Sequence, residues 1–145
     1  MISSFSGDYA FLSNFFDSPV TVEGLTFQNG EAAFQMQKAS SLGERIRFCS
    51  LPAAAAKKFG RKIVLRDNWD NLRIDAMRRV LMSKFEPGSD LAQKLLSTGY
   101  EHLIEGNTWH DNFWGNCICE RCQGKTGKNM LGNLLMERRE QLRDM

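Results

Sequence analysis

Glu31, Gln35 and Lys38 stand four and seven residues apart in the run Phe27-Gln28-Asn29-Gly30-Glu31-Ala32-Ala33-Phe34-Gln35-Met36-Gln37-Lys38-Ala39. Side chains at these offsets line one face of an α-helix. A carboxylate, an amide and an amine on one stripe, with Phe34 at its edge, have the donor and acceptor set for acid-base or nucleophilic chemistry. A glutamate in the first turn lies at the positive end of the helix dipole and ionises easily, so it suits a base or a cation stabiliser better than a proton donor. The same spacing also describes an exposed Glu-to-Lys pair on a solvated face, and the stripe alone leaves both readings open.

Positioning that stripe requires a marked helix start, and the sequence supplies one. Asn29 is an expected N-cap and Gly30 a first-turn residue. The segment Val20 to Phe27 alternates and turns at Glu23-Gly24, which predicts a short hairpin delivering the chain into the helix. Ser50-Leu51-Pro52 predicts a capped helix over Ala53 to Phe59 that stops at Gly60. Leu72, Ala76, Met77, Val80 and Leu81 recur with a period near 3.6 and predict a core helix from about Asn68 to Phe85. Ser89 and Gly99 bracket another helix, and Asn129 to about Leu142 gives a last amphipathic one. The stretch from Tyr100 to Gly127 is irregular, and long loops in compact domains are often functional.

Three further clusters carry chemistry. Trp69-Asp70-Asn71-Leu72-Arg73 puts a carboxylate and a guanidinium three residues apart beside a large aromatic face; it suits a flat ring or a simple ion pair. Asp111-Asn112-Phe113-Trp114-Gly115 combines a carboxylate, an aromatic and a close-approach glycine, the make-up of a pocket or of a packed loop in which Asp111 makes a turn. Cys117, Cys119 and Cys122 lie within six residues, seven after His110. With that histidine they form the donor set of a tetrahedral zinc site of structural rather than catalytic type; reduced thiols or a redox pair are the alternatives, and Cys49 and His102 are distant further donors.

A chain of 145 residues, 42% hydrophobic and 25% charged, describes one globular domain, residues 1–145, with a core that needs no disulfide. The formal charge of +2 permits a phosphate-bearing ligand without arguing for a broad nucleic-acid face. Lys57, Lys58, Arg61 and Lys62 form a local basic patch that suits at most a short single-stranded contact. With no leader pattern and no long apolar run, the expectation is a cytoplasmic protein without membrane contact. Phosphate-loop, dinucleotide-loop, His-Glu-x-x-His and Gly-x-Ser-x-Gly motifs are all missing, which argues against nucleotide-triphosphate and serine hydrolysis.

Taken in order, Phe11-Leu12-Ser13-Asn14-Phe15, Gly24-x-x-Phe27, Glu31-Ala32-Ala33-Phe34-Gln35-x-x-Lys38-Ala39, Gly60-Arg61, Trp69-Asp70-x-x-Arg73, Lys84-Phe85, Trp114-Gly115 and Gly127-Lys128-Asn129-x-Leu131-Gly132 resemble the NADAR, or YbiA-like, family across nearly the whole chain. The resemblance implies a compact, mainly helical α+β domain with a small N-terminal hairpin. It also implies cleavage of N-glycosidic bonds in nucleotide-like substrates: ADP-ribose on guanine bases of nucleic acid, or the phosphoribosylated aminopyrimidines of riboflavin synthesis. A non-catalytic ADP-ribose reader is the contrasting reading. Position by position, Glu31 and Lys38 match the family's catalytic helix, while Asn14, Phe15, Trp69, Asp70, Arg73, Asp111 and Trp114 match its substrate pocket. Asp70 or Asp111 is also a candidate auxiliary carboxylate; Gln35 and Gly115 join the pocket from the stripe and loop readings. No cofactor is expected to be needed for catalysis. The chain departs from the family pattern at Ala32, where many members carry histidine, and in its cysteine loop, which only a subset shares.

Overall fold

The computed structural model describes residues 1–145, which separate into two compact units: Asn14–Glu86, and Met1–Ser13 together with Pro87–Met145. The fold is mainly helical with a small N-terminal hairpin. No helix is long and apolar enough to cross a membrane.

The unit formed by residues 14–86 opens with strands β1 (Asp17–Val22) and β2 (Leu25–Asn29), paired antiparallel with Val22 opposite Leu25. Glu23 and Gly24 both have positive φ, the backbone of the tight turn whose twist matches a hairpin. Asn29 ends β2 and caps α1 (Gly30–Met36), its side chain accepting from the Ala32 amide at 2.7 Å. All seven residues of α1 are buried, because β1, β2, α3 (Ala53–Gly60) and α4 (Trp69–Lys84) all pack against it. The helix α2 (Leu42–Arg47) buries none of its residues, so it carried no periodic signal. Ser50 does not cap α3. It closes the 3-10 turn Phe48–Ser50, and Pro52 holds the cap position with no side-chain hydrogen bond. The predicted core helix is α4, whose N-cap Asn68 has φ 65°.

In the other unit α5 (Asp90–Ser97) starts at Ser89, whose hydroxyl accepts from the Ala92 amide at 3.1 Å. The last helix, α6, spans Met130–Arg143. Between them, two-residue strands β3 (Gly106–Asn107) and β4 (Asn116–Cys117) pair in parallel. Asn129 binds this segment at both ends of its carboxamide, accepting from the Glu105 amide at 2.9 Å and donating to the Leu103 carbonyl at 2.8 Å. A Cβ at Gly132 would overlap that same Leu103 carbonyl. Much of the Gly-Lys-Asn-x-Leu-Gly motif is therefore a docking device. The Arg139 guanidinium is buried and donates to Thr98 Oγ1 and the Glu101 carbonyl, both at 2.8 Å.

Candidate functional site

Glu31 is 9% exposed, so the Glu-Gln-Lys stripe is not a solvated ion-pair face. Its amide donates to the Asn14 carbonyl at 2.9 Å, and its carboxylate accepts from Gln35 Nε2 at 2.8 Å. A buried carboxylate held by a side-chain donor one turn away is preorganised, since its orientation no longer depends on solvent.

Two glycines make room for this arrangement. A Cβ at Gly30 would come within 3.2 Å of Asn14 Oδ1 and 3.3 Å of Val80 Cγ1, and a Cβ at Gly60 would overlap Gln35 Oε1. Asn14 Nδ2 reaches Met77 Sδ at 3.3 Å. Asn14 Oδ1 and Gln35 Oε1 are buried acceptors with no hydrogen-bond partner, polarity of a kind that folded proteins retain chiefly where it serves a purpose.

Lys38 lies just beyond the Gln37 C-cap rather than within α1. Its amide still donates to the Gln35 carbonyl at 3.0 Å, and its Nζ sits 5.8 Å from the centre of the Phe34 ring. Burial pushes the Lys38 ammonium below its usual range; Glu31 opposes that shift, while Arg61 and Lys57 reinforce it. Three cations and one carboxylate therefore act on one another here. Such a cluster favours an anionic ligand such as phosphate. Lys57 also lies 5.8 Å from the Phe15 ring centre, and Phe15 is exposed.

The aromatic residues divide by exposure. Trp69 is buried with its ring tilted against Phe34, centroids 5.5 Å apart, so its main contact is with the helix that carries Glu31. Asp70 is exposed in the first turn of α4 and Arg73 is half-buried. The sequence reading named Lys57 and Arg61 only as part of a surface patch. Their four-residue spacing, with Lys57 on α3 and Arg61 at its C-cap, and the place of Gly60-Arg61 among the motifs are the available signals.

In the other unit, Asp111 Oδ1 accepts from the Phe113 and Trp114 amides at 3.1 and 2.9 Å, the turn geometry of an aspartate that holds its own loop. Trp114 is half-buried, edge-on to Phe113 at 4.7 Å. The carbonyls of Phe113 and Trp114 accept from the Met130 and Leu131 amides at 3.0 and 2.9 Å, satisfying the start of α6. Gly115 approaches its own chain: a Cβ there would overlap the Glu105 carbonyl and carboxylate.

His110, Cys117, Cys119 and Cys122 converge in the same unit, with one ligand atom from each lying within 4.8 Å of the others. Cys49 and His102 are outside this group. Burial opposes ionisation of Cys117, but hydrogen bonds from the Cys119 amide and thiol, from Cys122 and from the His110 backbone outweigh it and bring the thiol down to about 6. The hydrogen bond to Cys117 in turn holds the Cys122 thiol above its usual value.

The chain matches the NADAR domain over residues 3–143, a span that runs through both units. It is 42% identical over 142 residues to N-glycosidase YbiA of Escherichia coli (strain K12), covering 96% of this chain and 85% of that protein. It is 33% identical over 141 residues to a riboflavin biosynthesis protein of Vibrio vulnificus (strain YJ016), covering 94% of this chain but 36% of that longer protein. Among solved structures, the NMR structure of the E. coli protein YbiA superposes with a TM-score of 0.83 at 36% identity, over 99% of this chain and 83% of that one.

Proposed function

From the chain's membership of the NADAR family, whose relatives of similar length are N-glycosidases, we propose that it hydrolyses the C1–N bond of a phosphoribosylated aminopyrimidine. One observation carries the chemistry: a buried, hydrogen-bonded Glu31 carboxylate acting on the partly desolvated amine of Lys38, with Lys57 and Arg61 also acting on it. A non-catalytic reader of nucleotides needs the cations and an aromatic face, but not a buried acid acting on a partly desolvated amine.

Cleavage of a glycosidic C–N bond builds positive charge on the ribose ring. Glu31 offsets that charge, and Gln35 fixes the carboxylate that does so. Burial of Lys38 raises the fraction of neutral amine, the form that attacks C1. Its nitrogen bonds to C1 as the bond to the base breaks. The departing nitrogen takes up one proton shed by the attacking amine, the ring oxygen takes up the other as the ring opens to an imine on Lys38, and water activated by Glu31 then adds to the imine, releasing the sugar and restoring the amine. Lys57 and Arg61 hold the phosphate, with Arg73 as a forked donor. Phe15 offers an exposed stacking face and Trp69 braces Phe34. Asn14 anchors the Glu31 backbone, and Asp70 is an auxiliary carboxylate.

The riboflavin name of the Vibrio relative and the small net charge of +2 support the free metabolite over ADP-ribosylated guanine, which shares the C1–N bond and the phosphates. The test compares a phosphoribosylaminopyrimidine with a guanine-ADP-ribosylated oligonucleotide, using wild type, Glu31→Gln and Lys38→Ala. Turnover of the pyrimidine, lost in both variants and trapped by borohydride as a Lys38-linked sugar, is the expected result. Turnover of the oligonucleotide alone would move the substrate class to modified nucleic acid. Tight binding without turnover of either would make the protein a reader, and active enzyme that never traps an adduct would leave direct attack by water.

A further inference from the structure

We propose that His110, Cys117, Cys119 and Cys122 bind one zinc ion in a tetrahedral, structural site. This inference is independent of the glycosidase reading. Zinc bonds of about 2.3 Å to sulfur and 2.0–2.1 Å to nitrogen, at tetrahedral angles, put ligand atoms roughly 3.8 Å apart for sulfur pairs and 3.6 Å apart for sulfur-nitrogen pairs. His110 Nδ1 lies 3.9, 3.3 and 3.5 Å from the sulfurs of Cys117, Cys119 and Cys122, which straddles that figure. Cys117 and Cys119 are somewhat closer together, at 3.3 Å. Four protein ligands leave no open position, the pattern of a structural rather than a catalytic centre. Three soft sulfur donors and one imidazole exclude magnesium and calcium as the natural occupant.

Hydrogen bonds outside the ligand set already aim the donors. Asn107 brackets the residue after His110, donating from Nδ2 to the Asp111 carbonyl at 2.8 Å and accepting at Oδ1 from the Asp111 amide at 3.2 Å. Asn112 Oδ1 accepts from the Cys117 amide at 2.9 Å. The 3-10 turn Glu120–Cys122, closed by the Cys122 amide donating to the Cys119 carbonyl at 3.1 Å, folds the last two thiols toward each other. His110 itself has φ 68°, a left-handed conformation that strains a non-glycine residue and persists where its surroundings hold it. Outer contacts of this kind are how proteins orient metal ligands. A redox pair of cysteines needs neither the histidine nor this convergence. The ion would cross-link the ring from His110 to Cys117, which contains Asp111 and Trp114, and would fix the loop against which α6 begins.

The test is metal analysis of the full chain purified under reducing conditions without chelator, alongside cobalt substitution. Equimolar zinc is expected, with cobalt giving the intense visible bands of a tetrahedral centre and sulfur-to-cobalt charge transfer in the near ultraviolet. Cys119→Ser and Cys122→Ser should lose the metal, and Cys49→Ser should retain it. Wild-type protein that folds without metal, leaves all its thiols open to titration and shows no charge-transfer band with cobalt would overturn the site. Loss of metal from Cys49→Ser to the same extent as from Cys119→Ser would overturn the ligand assignment. The cobalt spectra of wild type remain decisive even where a cysteine variant misfolds.

Discussion

Gly60→Ala is the sharpest perturbation the structure offers, because it acts on Glu31 without touching it. Gly60 is the last residue of α3 and its φ is not positive, so alanine is compatible with the backbone and gains up to about 1 kcal/mol of helix propensity. The added Cβ would overlap Gln35 Oε1 and lie 2.7 Å from Gln35 Cδ, so the carboxamide must swing away. That swing breaks the 2.8 Å hydrogen bond to the Glu31 carboxylate. A hydrogen bond to a charged group contributes about 1.5–3 kcal/mol, which converts to a loss of roughly 10- to 150-fold in kcat/KM. Refitting a buried side chain costs about 1–3 kcal/mol, partly offset by the helix gain, so urea denaturation should show at most a modest loss of stability. Steady-state release of free base, measured for Gly60→Ala, Gln35→Ala and the double variant, closes a cycle. If Gly60 acts only through Gln35, alanine at position 60 adds nothing once Gln35 is gone. Wild-type kcat/KM in Gly60→Ala, or losses that simply add in the double variant, would refute the reasoning.

Burial pulls the Lys84 ammonium down to about 7 from its ordinary 10.5. The folded state therefore carries the full cost of that charge below pH 7 and sheds it as pH rises towards 10, because the unfolded chain then binds the extra proton. The stability of wild type relative to Lys84→Met should increase across that window by up to about 1.4 kcal/mol per pH unit; parallel denaturation curves from pH 7 to 10 would contradict the burial argument. Asp111→Ala removes the acceptor for two loop amides and should lose about 1–3 kcal/mol in urea denaturation, whereas Asp111→Asn keeps an acceptor and most of the stability. If the Asn variant is as stable as wild type yet turns over more than about 100-fold slower, the charge of Asp111 acts in the chemistry and its turn-forming role is not its whole contribution.

The parts of the fold legible in the sequence were those governed by neighbours along the chain. Glu23-Gly24 announces its turn because both residues must take positive φ, and Asn29 and Ser89 announce helix starts because their side chains meet amides three residues on. Ser50 misled for the same reason in reverse. Its type and place before a proline fit a cap, but its hydroxyl donates to the Arg47 carbonyl instead. Helix α2 was invisible because periodicity reports only a face turned to the core, and α2 buries none of its residues. The two-residue strands β3 and β4 are parallel partners about ten positions apart, a pairing that no local pattern encodes.

The site shows the same boundary more sharply. Glu31, Gln35 and Lys38 could be named from spacing, yet spacing described equally well a solvated ion pair, and what separates the two is the burial of α1 by the hairpin that precedes it and by α3 and α4, which lie further along the chain. Gly60 is the clearest case. Twenty-five positions from Gln35, it carries no side chain to suggest chemistry, and its meaning lies in the atom it leaves room for. The cysteine cluster runs the other way: its donors lie close enough in sequence to suggest a metal site, while the positive φ at His110 and the hydrogen bonds of Asn107 and Asn112, made across four and five residues, are local but not announced by residue type. Residue type and spacing state which chemistry a chain can perform; which of its options is built depends on where water is excluded, and that is decided by contacts between segments.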